Sequence, residues 1–277
     1  MKLENMKVII TGGAMGIGLA TAKRLLAENA IVTIWDINQK ELENCKILFK
    51  AYENRIFLHN CDVSDKDKIH EMTQVALIEM GGIDILINNA GYVAGGSLID
   101  TDNDKWDKTI KINLNAIVYT TKEILPILLK QDSGHIVNLS SASSYLGVPD
   151  LAVYTATKWA VWGFTESIRF EIINSGKKNV GISSIHPSYL ATGMFEGAKL
   201  GFLGNLIVPQ VKDHDVIAKA IVNGALKKGK YAVRRPRSLR LSMILRGILP
   251  DKLFQYMLIV MGVHISMSNW KGREQFL

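Results

Sequence analysis

The chain has 277 residues, 48% of them hydrophobic, enough for one large α/β domain with a substantial core. Its net charge of +7 is uneven: eleven Lys and Arg against two acids from Lys227 onward give +9, leaving −2 elsewhere, which excludes a uniformly basic nucleic-acid binder. Cys45 and Cys61 lack C-x-x-C spacing and the six histidines are scattered, so neither a disulfide framework nor a metal site is expected.

Short apolar runs alternate with longer amphipathic stretches, the pattern of a parallel sheet covered on both faces. Strands are predicted at 7–11, 31–35, 56–60, 83–88, 135–140 and 180–186, with helices near 16–28, 40–52, 65–80, 104–129 and 151–175. Pro126 is expected to kink or end the fourth long helix. After Pro187 the pattern changes to a Gly-rich mobile stretch at 194–212, a helix at 213–227 and a last strand at 231–233. Strongly apolar material with interspersed Arg and Lys follows at 239–267. The prediction is a single doubly wound Rossmann-type parallel sheet with a C-terminal apolar, basic helical extension. Residues 1–238, including a substrate loop at 188–212, form the catalytic domain, and 239–277 pack on or beside it. No signal peptide, N-terminal anchor or run of ~18 apolar residues is visible, and Cys45 and Cys61, read as reduced, point to a cytoplasmic location.

The first predicted strand ends in T-G-G-A-M-G-I-G, where Gly12, Met15, Gly16, Ile17 and Gly18 open a helix. Glycines there let the backbone turn tightly and approach a pyrophosphate on the positive end of the helix dipole. Asp36 ends the second strand, followed by Ile37. A carboxylate at that point accepts hydrogen bonds from both ribose hydroxyls and repels a 2′-phosphate, which favours NAD over NADP. Asp62 and Val63 follow the third strand and border the adenine, although Asp62 could equally cap the next helix. Asn88-Asn89-Ala90-Gly91 follows the fourth, with Asn89 fixing the loop and the small Ala90 and Gly91 lying where a cofactor passes.

Tyr154 and Lys158 stand four apart in V-Y-T-A-T-K, which on a helix places them on one face. An ammonium beside a phenol favours the phenolate and makes Tyr an acid–base group. Ser141 closes the fifth strand, thirteen residues earlier, where its hydroxyl can bond the same substrate oxygen. Asn113, in K-I-N-L-N, is a mid-helix residue unfavourable by propensity.

Together these strings resemble the short-chain dehydrogenase/reductase family over Lys7 to Thr192. The resemblance implies a tetrad of Asn113, Ser141, Tyr154 and Lys158. Tyr154 would exchange the proton and Ser141 would orient the substrate oxygen. Lys158 would lower the Tyr pKa and, with Tyr154, contact the nicotinamide ribose; Asn113 would hold a relay water. It also implies carboxamide contacts from the stretch with Pro187, Leu190 and Thr192. Here H-P-S-Y-L-A-T departs from the family pattern, with Ser188 in place of the usual Gly.

The string H-P-S-Y-L-A-T-G-M-F, with Gly197, Lys199 and the late Y-A-V-R-R-P, is similar to a branch acting on retinol, steroids and other lipophilic alcohols. Tyr92, Val93, Ser143, Tyr145 and Leu146 are candidates for the substrate wall, as are Tyr189, Met194, Phe195, Leu200 and Phe202. The function expected is hydride transfer between NAD(H) and a lipophilic secondary alcohol or ketone. The alternative is a non-catalytic NAD sensor or scaffold on the same fold. The basic apolar stretch 227–267 suits peripheral contact with an anionic membrane, or covers the pocket or a subunit interface. The family resemblance also implies a homodimer or homotetramer, with Trp106, Trp159, Trp162 and Phe164 on helices that could form subunit contacts or could as well be core.

Overall fold

In the computed structural model, which describes residues 1–270, the apolar runs form seven strands. These are β1 (Lys7–Thr11), β2 (Ile31–Asp36), β3 (Ile56–Asn60), β4 (Ile85–Asn88), β5 (Gly134–Leu139), β6 (Val180–Pro187) and β7 (Ala232–Arg235). They make one sheet in the order β3-β2-β1-β4-β5-β6-β7, with every pairing parallel. Strands covered on both faces have no solvent side, which is why they read as continuous apolar runs. The two-residue alternation still sorts side chains between layers. Val8 and Ile10 pack with Leu25, Leu26 and Ile217 on one face, whereas Ile9 joins Ile69, Ile124 and Leu128 on the other.

The helices are α1 (Gly16–Ala27), α2 (Gln39–Leu48), α3 (Lys66–Met80), α4 (Asn103–Ile110), α5 (Ala116–Gln131), α6 (Ala152–Asn174), α7 (Phe202–Ile207), α8 (His214–Ala220), α9 (Leu239–Ile248) and α10 (Asp251–Val260). Asn38 caps α2 by accepting the Glu41 N–H, and Asp65 caps α3 by accepting from Asp67 and Lys68. From β1 the chain builds outward to β3, then returns to place β4 on the other side of β1. The strand order therefore reverses between β1 and β4, and a crevice opens at their C-terminal ends.

Several element boundaries differ from the sequence expectation. The helix expected at 104–129 is interrupted by a π turn, Lys111–Asn115, that joins α4 to α5. Pro126 does not end α5, which continues to Gln131 because Ile124 and Leu128 on either side of it are buried in the core. The strand expected from Ile83 starts at Ile85, since the Asp84 carboxylate first takes the Lys7 N–H at 2.9 Å. In the stretch expected as one helix at 213–227, Asp213 is the cap of α8, accepting the Val216 N–H, and Ile221–Leu226 is π-helical. The last strand is Ala232–Arg235 because Tyr231 is exposed, with its ring 4.5 Å beneath the Arg169 guanidinium. Residues 239–267 resolve into α9, α10 and a 3-10 turn at Val263–Ile265. The last seven positions of the expected 239–277 extension lie outside the described residues.

Candidate active site

One cavity of about 820 Å³ runs along the C-terminal edge of the sheet, from Asp36 at one end to Leu258, Met261 and Trp270 at the other. Its first half is a backbone construction. Gly12 has φ +59°, and a Cβ there would stand 2.8 Å from the Ala90 Cα. A Cβ on Gly18 would lie 2.6 Å from the Asn89 amide nitrogen, so this glycine serves packing beneath the turn and does not face the cavity. Gly12, Met15, Gly16 and Ile17 do face it. The Asn89 amide donates to the carbonyls of Thr11 (3.0 Å) and Gly12 (2.7 Å), while Thr11 Oγ1 accepts from the N–H groups of Asn89 and Ala90. Asn88 works deeper, donating to Asn138 at 2.9 Å and accepting from Thr120, which ties β4 to β5 and α5.

Asp36 is buried yet borders the cavity. Its carboxylate accepts from Ala14 N (2.9 Å) and Asn38 N (3.0 Å). Burial pushes its pKa up, and those backbone N–H bonds counter the shift. Ile37 beside it is exposed. Asp62 accepts the Ser64 N–H at 2.8 Å and does not cap α3, since Asp65 takes that role. Asp62, Val63, Ala90 and Gly91 all line the cavity. The N-cap of α1 is Met15, whose side chain makes no capping bond, so no side-chain acceptor occupies the positive end of this helix. An uncapped helix start, a turn without room for side chains and a fixed carboxylate beyond it together fit a dinucleotide.

At the middle of the cavity Ser141, Tyr154 and Lys158 meet. Ser141 lies two residues beyond β5 and caps the short 3-10 turn Ala142–Ser144, its Oγ accepting the Ser143 N–H at 3.2 Å. Tyr154 and Lys158 share one face of α6 and are almost fully buried. The Lys158 ammonium donates to the Leu139 carbonyl at 2.9 Å and lies 5.5 Å from the centroid of the Tyr154 ring. Burial lowers its pKa to about 8. Burial also raises the Tyr154 pKa well above the usual phenol range; a hydrogen bond to Ser141 lowers it, and Tyr189 adds to the rise. Burial is the largest influence on this phenol, and the relief comes from Ser141.

Asn113 departs from expectation too. It lies inside the π turn, fully buried, and does not line the cavity. Its amide clamps the Tyr92 backbone, accepting from Tyr92 N and donating to Tyr92 O, both at 2.8 Å. The π turn is the local irregularity that aims this side chain across to the loop after β4.

Pro187, Leu190 and Thr192 line the cavity. Ser188 donates its N–H to Arg235 O at 2.8 Å, and its φ is not positive. The loop thus has no need of a glycine at that position.

The far half of the cavity is apolar. Tyr92, Ser143, Leu146, Tyr189, Met194, Phe195 and Leu200 line it as expected. Three candidates do not. Val93 is buried behind the wall, packed with Ala198 and with Val148 and Leu151, which themselves line the cavity. Tyr145 turns inward, edge-on to Trp162 with ring centroids 6.5 Å apart. Phe202 is 85% exposed on α7. Lining residues absent from the sequence expectation are Val148, Leu151 and Val208, together with a group from the end of the chain: Leu239 and Ser242 on α9, Leu258 on α10, then Met261, Val263 and Trp270. Trp270 donates its indole N–H to Met194 O at 3.0 Å and so closes the rim. No local motif marks any of them. His214 was also missed; its ring stands 3.6 Å from where a Cβ on Gly16 would be.

A family model described as short chain dehydrogenase matches residues 6–200. The chain belongs to that family. Among curated relatives, epidermal retinol dehydrogenase 2 of Homo sapiens is 31% identical over 98% of this chain and 86% of its own. Short-chain dehydrogenase/reductase family 16C member 6 of Bos taurus is 30% identical over 97% and 84%. Estradiol 17-beta-dehydrogenase 11 of Mus musculus is 29% identical over 90% and 81%. Among solved structures, a short chain dehydrogenase/reductase of Burkholderia phymatum in complex with NAD has a TM-score of 0.80 at 22% identity, covering 92% of this chain and 96% of that one. As a member of this family the protein is an oxidoreductase, and the retinol and steroid dehydrogenase branch is where its relatives fall. Among the described residues no helix is long and apolar enough to cross a membrane, and no cluster of side chains could hold a metal ion.

Proposed function

We propose that the protein transfers hydride between NAD(H) and a lipophilic secondary alcohol or ketone. The observation that carries this reading is the position of Tyr154. Its phenol stands between a polar half of one cavity that ends in Asp36 and an apolar half built by α9, α10 and Trp270. A bound nicotinamide dinucleotide would accept or donate the hydride. Asp36 favours NAD because a buried carboxylate held by two backbone N–H groups would meet a 2′-phosphate with like charge. The names of the relatives, retinol and estradiol dehydrogenases, support a bulky apolar substrate.

Within this reading Tyr154 gives its proton to the carbonyl oxygen in reduction and takes it back in oxidation. Its raised pKa keeps it protonated at neutral pH, the form needed for reduction. Ser141 holds the same substrate oxygen. Lys158, with only a carbonyl partner, has donor capacity left for a ribose hydroxyl. The Asn113 amide is committed to Tyr92, so its part in this reading is to fix the loop after β4 beside the site. Subunit pairing is proposed across α6, where Trp159, Phe170 and Ile173 are exposed, whereas Trp106 on α4 is buried in the subunit. Purified full-length chain with NAD and a panel of retinoid, steroid and short aliphatic alcohols tests the function. NADH should form with the bulky alcohols; tight NAD binding without NADH from any of them would favour a sensor.

A further inference from the structure

The helices that wall the apolar end of the cavity turn their opposite faces to solvent as hydrophobic surface. On α9, Leu239 and Ser242 line the cavity, whereas Leu241, Ile244 and Ile248 are 51, 57 and 71% exposed. Their spacing of three and four puts them on one stripe. α10 repeats the arrangement: Leu258 faces the cavity and Phe254 is buried, while Leu253, Tyr256 and Val260 stand out. α7 joins through the end of α10. Gly201 N donates to Met261 O at 3.1 Å, and a Cβ on Gly204 would strike that same carbonyl. It exposes Phe202, Leu203, Leu206 and Ile207. Exposed apolar groups on three neighbouring helices are more than the scattered singles of an ordinary surface.

The charge around this surface selects its occupant. The cations of the C-terminal region divide between two edges of the sheet. Lys227, Lys228 and Lys230 precede β7 and lie at the edge away from the cavity, where Lys227 pairs with Glu28 at 2.6 Å. Arg237 and Arg240 follow β7, at the cavity edge, and are exposed. The Arg235 guanidinium is shifted down by burial and then by Arg237 and Arg240, so these three cations are close neighbours. Arg246 and Lys252 add two more on the same helices. Among the described residues the acids on or beside these elements are Asp251, 3.5 Å from Arg246, Glu166, which acts on Arg234 next to Arg240, and the exposed Glu196 ahead of α7. Two copies meeting on this face would set arginine against arginine with little to offset them, whereas an anionic surface complements both features.

We propose that α7, α9 and α10 form a docking face for an anionic lipid bilayer, so that a lipophilic substrate enters the cavity from the membrane. The entry route rests on the lipophilic-substrate reading above; docking does not, and it is measured without turnover. The test is sedimentation of the full chain with phosphatidylcholine vesicles, with and without phosphatidylserine. Sedimentation velocity without lipid accompanies it. The wild type should pellet only with phosphatidylserine present. Arg237→Gln with Arg240→Gln should weaken binding about fivefold per cation, and Ile244→Glu with Ile248→Glu should abolish it. If the glutamate pair lowers the melting temperature, the arginine pair carries the comparison. Three results would overturn the proposal: no pelleting with either vesicle, equal pelleting with both, or a dimer that the glutamate pair splits while vesicles leave it in the supernatant. Loss of docking would still leave NADH formation to decide the dehydrogenase reading.

Discussion

The two halves of the cavity are built by different physics. At the cofactor end, backbone groups do the positioning: Asn89 on the carbonyls of Thr11 and Gly12, Asp36 on the N–H groups of Ala14 and Asn38. At the substrate end almost every contact is apolar, and the wall is gathered from β5, the loop after β6 and the last helices. Hydrogen-bonded turns demand particular residues at particular spacings, so they fix chemistry tightly. Apolar walls ask only for volume, so they tolerate exchange and set preference by shape. Tyr154, at the junction, belongs to both.

The junction should give the largest effect. Tyr154→Phe is expected to cut turnover about a thousandfold, with NAD affinity in titration calorimetry unchanged within a few fold. A variant retaining most of its rate would separate the cavity from the chemistry. Next comes the cofactor end. Asp36→Ala should weaken NAD binding by about ten- to a hundredfold, the worth of hydrogen bonds to a charged acceptor, and relax the choice toward NADP. Unchanged preference in kcat/KM would remove Asp36 from the ribose.

The substrate end should respond more weakly and selectively. Leu258→Ala is expected to raise KM about tenfold for a bulky alcohol and leave a short aliphatic alcohol unaffected. Equal changes for both would mean that the last helices only support the fold.

The last prediction concerns stability. Lys158 is buried, with its pKa lowered from 10.5 in the unfolded chain to about 8. Below about 8 both states are charged and the folded protein carries the full cost of burying that charge. As pH rises from about 8 to 10.5 the folded state sheds the proton first, so the cost fades. The melting temperature of the wild type should therefore rise relative to Lys158→Met across that window. A constant difference would show that the ammonium is solvated in the folded state.

The same contrast governs what could be read in the sequence. The strands, the glycine turn and Asp36 are legible because parallel strands buried on both faces and phosphate-binding turns leave local strings. Tyr154, Lys158 and Ser141 are legible by spacing and resemblance. The direction of the Tyr154 shift is not, because it depends on burial created by the whole fold. Nor is the grip of Asn113 on Tyr92, which a π turn arranges. Leu239, Leu258, Met261 and Trp270 lie far along the chain from the motifs, and nothing local distinguishes a wall residue from core. Val93 and Phe202 show the reverse error, since apolar neighbours of a motif can face inward or out to solvent.

The most direct measurement is transfer of deuterium from the carbinol carbon of a labelled bulky secondary alcohol to NAD, run in parallel with wild type and Tyr154→Phe. The expected result is labelled NADH from the wild type and none above background from the variant, with NAD bound by both. Transfer at the same rate by both proteins, or none by a wild type that binds NAD tightly, would contradict the role given to Tyr154.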